Sequence, residues 1–225
     1  MKKRAFHFIF TGIFALVLAA CAPEDNENQQ QQEGNGGEVG NETEDLTNMT
    51  GANGEEAMND EADAVAELED ENEQSVGTVT FIENEEDHTI VTADVKNLEP
   101  GYHGFHIHEA GACEADAEGG AFDTAGGHYA PEEGDHAEHV GDLPPLFVNE
   151  NGVAKFSVVV DGFTPDELVS EGTTMIIHED PDNLGHILER YQSEEQDEPG
   201  PDDGSLATGD AGDRIACGVI EGPAA

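Results

Sequence analysis

The sequence predicts an all-β domain, an antiparallel sandwich or barrel, over residues 76–225. Short runs of alternating apolar and polar residues recur from Val76 onward, Gly, Pro and Asn clusters separate them, and helical periodicity is almost absent. Val76 to Ile82 reads as a strand, Glu83 to Asp87 as a turn, and Thr89 to Val95 as a second strand. Val79/Phe81 and Val91/Ala93/Val95 show the two-residue alternation of a half-buried sheet. Pro100-Gly101 marks a turn before a strand at Gly104 to His108. Further strands are expected at Leu146 to Val148, Ala154 to Val160, Thr173 to His178 and Arg214 to Ile220, with a turn at Asn149 to Gly152. Two long stretches, Glu109 to Pro145 and Glu179 to Asp213, do not look like strands, and loops this long usually carry function or are disordered.

The first third of the chain has a different composition. Met1-Lys2-Lys3-Arg4 followed by an apolar run from Phe8 to Ala20 has the layout of a secretion signal, residues 1–20. Leu18-Ala19-Ala20-Cys21 resembles the lipobox of prokaryotic lipoproteins, which implies cleavage before Cys21 and lipid attachment to its sulfur. The alternative is an ordinary signal with an incidental cysteine. The lipid reading places the protein in the cell envelope, anchored to the outer face of the cytoplasmic membrane. Residues 22–75 contain no Lys, Arg, Phe, Tyr or Trp and too little apolar surface to offset ordering entropy. Residues 21–75 are therefore expected to be a disordered acidic tether with a reach of about 40 Å. Within it, Ala57 to Glu69 is expected to form at most a transient helix.

The 225 residues hold 52 acids against 7 bases, a formal charge of −45, and loss of the leader would remove three of those bases. Lys96, Lys155, Arg190 and Arg214 are the bases that remain. So acidic a chain would repel nucleic acid and anionic membrane surfaces, which makes both poor partners. Acid surplus with almost no lysine instead suits hydration in concentrated salt, and a halophilic source is expected.

The histidines are concentrated in the strand-like region. His106 and His108, two apart on a strand, project from one face as a chelating pair needs, whereas His103 has the other parity and is expected at the surface. His136, His139 and Asp142 follow at three-residue steps, which a tight turn brings to one side; two imidazoles and a carboxylate are suitable zinc ligands, with His128 available to complete a tetrahedral set. His178 ends an apolar strand at a rim like that of His106 and His108.

Five segments then occur in a recognisable order: Gly104-Phe105-His106-Ile107-His108-Glu109, Gly127-His128-Tyr129-Ala130-Pro131, His139-Val140-Gly141-Asp142-Leu143, Ile177-His178-Glu179 and Gly209 to Ile220 with Arg214 and Cys217. This set resembles the copper–zinc superoxide dismutases over about residues 76–222. The resemblance implies an eight-stranded Greek-key β-barrel with the metals outside its wall, beneath two long loops. It implies copper on His106, His108, His128 and His178, and zinc on His128, His136, His139 and Asp142, so that His128 bridges the two. Asp182 falls where the family places a carboxylate bonded to ligands of both metals, Cys113 and Cys217 match the intrasubunit disulfide, and Arg214 matches the anion-guiding arginine. An ion pair of Arg214 with Asp210 or Asp213 is the structural alternative.

The implied reaction converts superoxide to oxygen and hydrogen peroxide on a redox-cycling copper, with catalytic roles for His128 and Arg214. The alternative is a copper- and zinc-binding or metal-delivery lipoprotein without turnover. Two departures from the family stand out. Only two residues separate His136 from His139, where relatives have a longer loop, and the stretch between His178 and Arg214 carries many acids where relatives commonly carry lysines. A homodimer is compatible with the resemblance, although no apolar patch in the sequence selects one.

Overall fold

A computed structural model describes residues 62–223, except Glu133 and Glu195. The predicted signal, Cys21 and most of the tether lie outside the described residues. Among the described residues nine strands are present: β1 (Ala64–Asp70), β2 (Ser75–Glu83), β3 (Thr89–Val95), β4 (Gly101–His103), β5 (Phe105–His108), β6 (Leu146–Val148), β7 (Ala154–Val160), β8 (Thr174–His178) and β9 (Arg214–Glu221). Seven form one antiparallel sheet in the order β5-β8-β9-β1-β2-β3-β7, and β4 pairs with β6. β4 and β5 are separated by Gly104 alone, yet they pair with different partners, β6 and β8.

The first correction is β1. The tether is expected from sequence to run to residue 75, with at most a transient helix within it; instead Ala64–Asp70 is a strand paired on both sides, with β2 and with β9. Ala64, Ala66 and Leu68 are fully buried while Glu67 and Glu69 face outward, a two-residue alternation written in small side chains. Pairing with two neighbours overrides the helix preference of Ala, Leu and Glu, because those partners are distant in sequence. The folded domain therefore begins before residue 76.

Phe81, Phe105, Ile107, Leu146, Met175 and Ile177 fill the main core from both halves of the chain. Two short helices were not anticipated. α1 (Pro165–Glu171) opens with a capping box in which the Thr164 hydroxyl accepts from Glu167 N–H while Glu167 accepts from Thr164 N–H, and it ends at left-handed Gly172. α2 (Asp203–Thr208) is capped by Asp202 and ends at Gly209. The T-P-D-E and D-D-G-S signals were there to be read, but each serves a helix too short for periodicity.

Cys113 and Cys217 form a disulfide that spans 104 residues and ties the first long loop to β9. Closing a loop of that length stabilises the fold by about 4–5 kcal/mol in the chain-entropy account. Among the described residues, no helix is long and apolar enough to cross a membrane.

Candidate metal centre

Strand pairing assembles the site. In the β5–β8 ladder, His106 opposes Ile176 and His108 opposes Thr174, and a register shift at Ile177/His178 turns His178 opposite Arg214 of β9. Isolated bridges join His106 to Asp142 and His108 to His128, stitching the first long loop to the edge of β5. One close approach is obligatory. A Cβ on Gly104 would lie 2.6 Å from the Ala211 Cβ and 3.0 Å from His106 Cε1.

The result is two adjoining donor sets. His106, His108, His128 and His178 form one, and His128, His136, His139 and Asp142 the other, each with its ligand atoms within 4.8 Å of one another. Six histidines from distant segments, His106, His108, His128, His136, His139 and His178, thus converge. His106, His108 and His178 are buried almost completely.

Apart from the shared His128, each ring is held by one nitrogen and leaves the other for its centre. His108 Nδ1 donates to the Gly126 carbonyl at 2.9 Å, and His178 Nδ1 to the Gly212 carbonyl at 3.2 Å. Their Nε2 atoms face each other 3.3 Å apart. His106 Nε2 lies 2.7 Å from Asp182 Oδ2, and His139 Nε2 donates to the Gly134 carbonyl at 3.0 Å. Asp182 also lies 2.8 Å from His136 Nε2, so one carboxylate orients an imidazole of each set. The atoms left over, His106 Nδ1, His128 Nε2, His136 Nδ1 and His139 Nδ1, are buried without a hydrogen-bond partner. Buried nitrogen that lacks a partner is expensive, and several pointed at common centres fit a bound cation.

His103 is the second correction. Its side chain is buried, not at the surface, with ring nitrogens 2.7 Å from the His178 carbonyl oxygen and 2.8 Å from that of Glu99. It braces the backbone that carries His178. The face opposite the metal-ligand pair is covered at this position.

Arg214 makes no ion pair with Asp210 or Asp213 among the described residues. Its Nη1 donates to the Phe122 carbonyl at 2.6 Å and its Nη2 to the Gly126 carbonyl at 2.7 Å. Asp210 is engaged by Ser205 and Asn183 instead. The Gly126 carbonyl thus positions both His108 and Arg214. The arginine opens on a cavity of about 780 Å³ shared with Asp70, Glu71, Glu99, Asp123, Glu179 and Asp213.

Burial lowers His128 to about 4 despite its hydrogen bond with Asp142, and lowers His178 to about 3 with help from His106. Burial also holds His108 well below the ordinary value. For His136 burial acts downward too, but the close carboxylates of Asp142 and Asp182 outweigh it and raise the group to about 9. Both carboxylates, in spite of burial, are held well below their usual range by the imidazoles they touch.

These directions set the pH dependence of the metal-free protein. Below pH 6.5 unfolding frees His128 and His178 to bind protons they refuse when folded, so stability falls toward acid. The His136 contribution is complete below 6.5 and is lost as pH rises through about 9. Asp142 and Asp182 stabilise above their ordinary 3.8 and lose that in acid. A stability maximum near pH 6.5 is therefore expected, declining on both sides, in urea titrations of the metal-free chain. A midpoint that kept rising from pH 7 to 9 would exclude a protonated His136.

The fold and its paired histidine-rich clefts define a β-barrel protein built to hold two neighbouring cations. The family model for copper/zinc superoxide dismutase (SODC) matches residues 75–220. A copper–zinc superoxide dismutase of Mycobacterium tuberculosis is 43% identical over 139 residues, covering 59% of this chain and 58% of that protein, and the one of Mycobacterium bovis matches to the same extent. One of Brassica juncea is 35% identical over 64% of this chain and 88% of its own length. Among solved structures, the clock protein EA4 superposes with a TM-score of 0.55 at 29% identity, covering 72% of this chain and 94% of its own. A SOD-like protein from Bacillus subtilis gives 0.54 at 25%, covering 69% and 96%. The chain belongs to the copper/zinc superoxide dismutase family, and copper and zinc are the metals that suit its two donor sets.

Proposed function

We propose that this protein dismutates superoxide to oxygen and hydrogen peroxide, with copper held by His106, His108, His128 and His178 and zinc by His128, His136, His139 and Asp142. The observation that carries the reading is the complete four-imidazole set beside an arginine whose guanidinium is already aimed by two backbone carbonyls. Copper, when bound, supplies one-electron oxidation and reduction, which zinc cannot, and zinc supplies a fixed positive charge.

The chain's own groups do the rest. His128 Nδ1 and Asp142 Oδ1, 2.7 Å apart, belong to the same donor set and would both turn to zinc, which would fix the bridging ring. His128 Nε2, buried and unpartnered, is the atom that holds and returns a proton for the peroxide product. Arg214 keeps donors free of the two carbonyls to meet the anion.

The carboxylates around Arg214 favour a second reading, metal delivery without turnover, because their field repels superoxide. A salt series distinguishes the two. The Debye length shrinks from about 10 Å at 0.1 M to about 3 Å at 1 M, which would uncover Arg214 to the substrate. Stopped-flow kcat/KM of protein carrying one copper and one zinc per chain is expected to rise by a factor on the order of 10 between those concentrations. A steady fall with salt would reject repulsive control, and no turnover at any salt would favour delivery.

We further infer that the domain works outside the cytoplasmic membrane of a salt-adapted cell, held there by lipid on Cys21. The lipobox-like Leu18 to Cys21 and the acidic composition support this. Cys21→Ser is expected to move the protein from the detergent phase to the aqueous phase on Triton X-114 partition; no change would exclude the anchor. A second copy of the chain remains the other partner implied by the family, and the exposed Tyr102–Phe147 ring pair is the apolar surface it would cover first.

A further inference from the structure

Two residues separate His136 from His139, and the first of them, Ala137, stands at φ 70°. An L residue resists this conformation because its Cβ approaches the following carbonyl; Gly escapes that clash, and Asn tolerates it better than most. Ala137 is exposed, so its methyl secures nothing by packing. Its backbone does the useful work. The reversal at Ala137 brings His136 Nδ1 to 3.2 Å and His139 Nδ1 to 3.1 Å from the same oxygen, Asp142 Oδ2. The Ala137 N–H donates to that oxygen at 2.7 Å. Neither imidazole nitrogen meets that oxygen in hydrogen-bonding geometry, so both nitrogens and the carboxylate face one common centre. Upstream, His136 N–H donates to the Leu206 carbonyl at 2.7 Å, so the turn is pinned at its start by the other long loop.

We propose that Ala137 is a positioning residue. Its left-handed turn stands in for missing loop length, swinging His136 and His139 onto one cation, while its N–H orients the Asp142 carboxylate. The assignment rests on reading this donor set as a zinc site. It explains how a His-x-x-His step can serve where relatives have a longer loop.

The test compares Ala137→Gly, Ala137→Asn and Ala137→Val in the full chain. Zinc affinity is read by chelator competition, and site geometry by the visible bands of cobalt(II) substituted for zinc. Gly and Asn, at ease in the left-handed region, are expected to stay within about threefold of the parent or bind more tightly. Val, close to Asn in volume but β-branched, is expected to bind at least about tenfold more weakly and to lose the tetrahedral cobalt bands. Recovery by Asn of what Val loses is a result that a packing role cannot produce. Equal weakening by Asn and Val, or parent-like affinity and bands in all three, would overturn the proposal. A parent protein that takes up no zinc would overturn the zinc reading itself, and the proposal with it.

Discussion

His178→Ala is expected to lower superoxide turnover by more than about 100-fold, the upper end of what is lost when a group merely supporting a ligand is removed. His178 is buried at the end of β8, with Nδ1 committed to the Gly212 carbonyl and Nε2 facing His108 Nε2. Alanine would leave three imidazoles in the first donor set and an open space where the fourth stood. The second set shares only His128 with the first, so zinc content should be retained. The measurement is copper and zinc content with pulse-radiolysis rates on the same samples. If the parent protein, fully loaded, turns over no faster than the variant, the chain is a metal carrier and not an enzyme.

The other large effect comes from a residue without a side chain. Gly209 ends α2 at φ 62°, and a Cβ there would lie 2.1 Å from Asp182 Oδ1 and 2.4 Å from His136 Nε2. Neither neighbour is a free end that can swing away: both are buried, and each is hydrogen-bonded to the other. Gly209→Ala must therefore displace the contact that orients His136, and zinc affinity should fall by about 10- to 100-fold while copper is kept. Gly172→Ala is the matched control. It has a similar φ of 71° but nothing within 4 Å of the added carbon, so it isolates backbone strain from collision. Zinc affinity in Gly209→Ala within twofold of the control would remove Gly209 from the site.

Much of the fold could be read from residue order. The alternation in β2 and β3 and the apolar run of β8 appear where they were expected, because a half-buried strand repeats every two residues and needs no distant information. β1 escaped for the opposite reason. Its Ala-Val-Ala-Glu-Leu-Glu text suits a helix as well as a strand, and only the flanking β2 and β9 decide between them. The short helices were missed because caps, not periodicity, define them.

At the metal centre, spacing and resemblance together nominated the histidines, Asp182, the disulfide and Arg214 before any coordinates, since donor chemistry belongs to the side chain itself. Their convergence, the burial of His103, the pressure of Gly209 against His136 and the turn at Ala137 belong to the three-dimensional arrangement alone. A residue's chemistry is carried by its own atoms, whereas its neighbours are settled by strand register and loop packing between segments up to a hundred residues apart. That is why the sequence by itself could nominate which groups are able to bind, and only tertiary structure could decide what holds them in place.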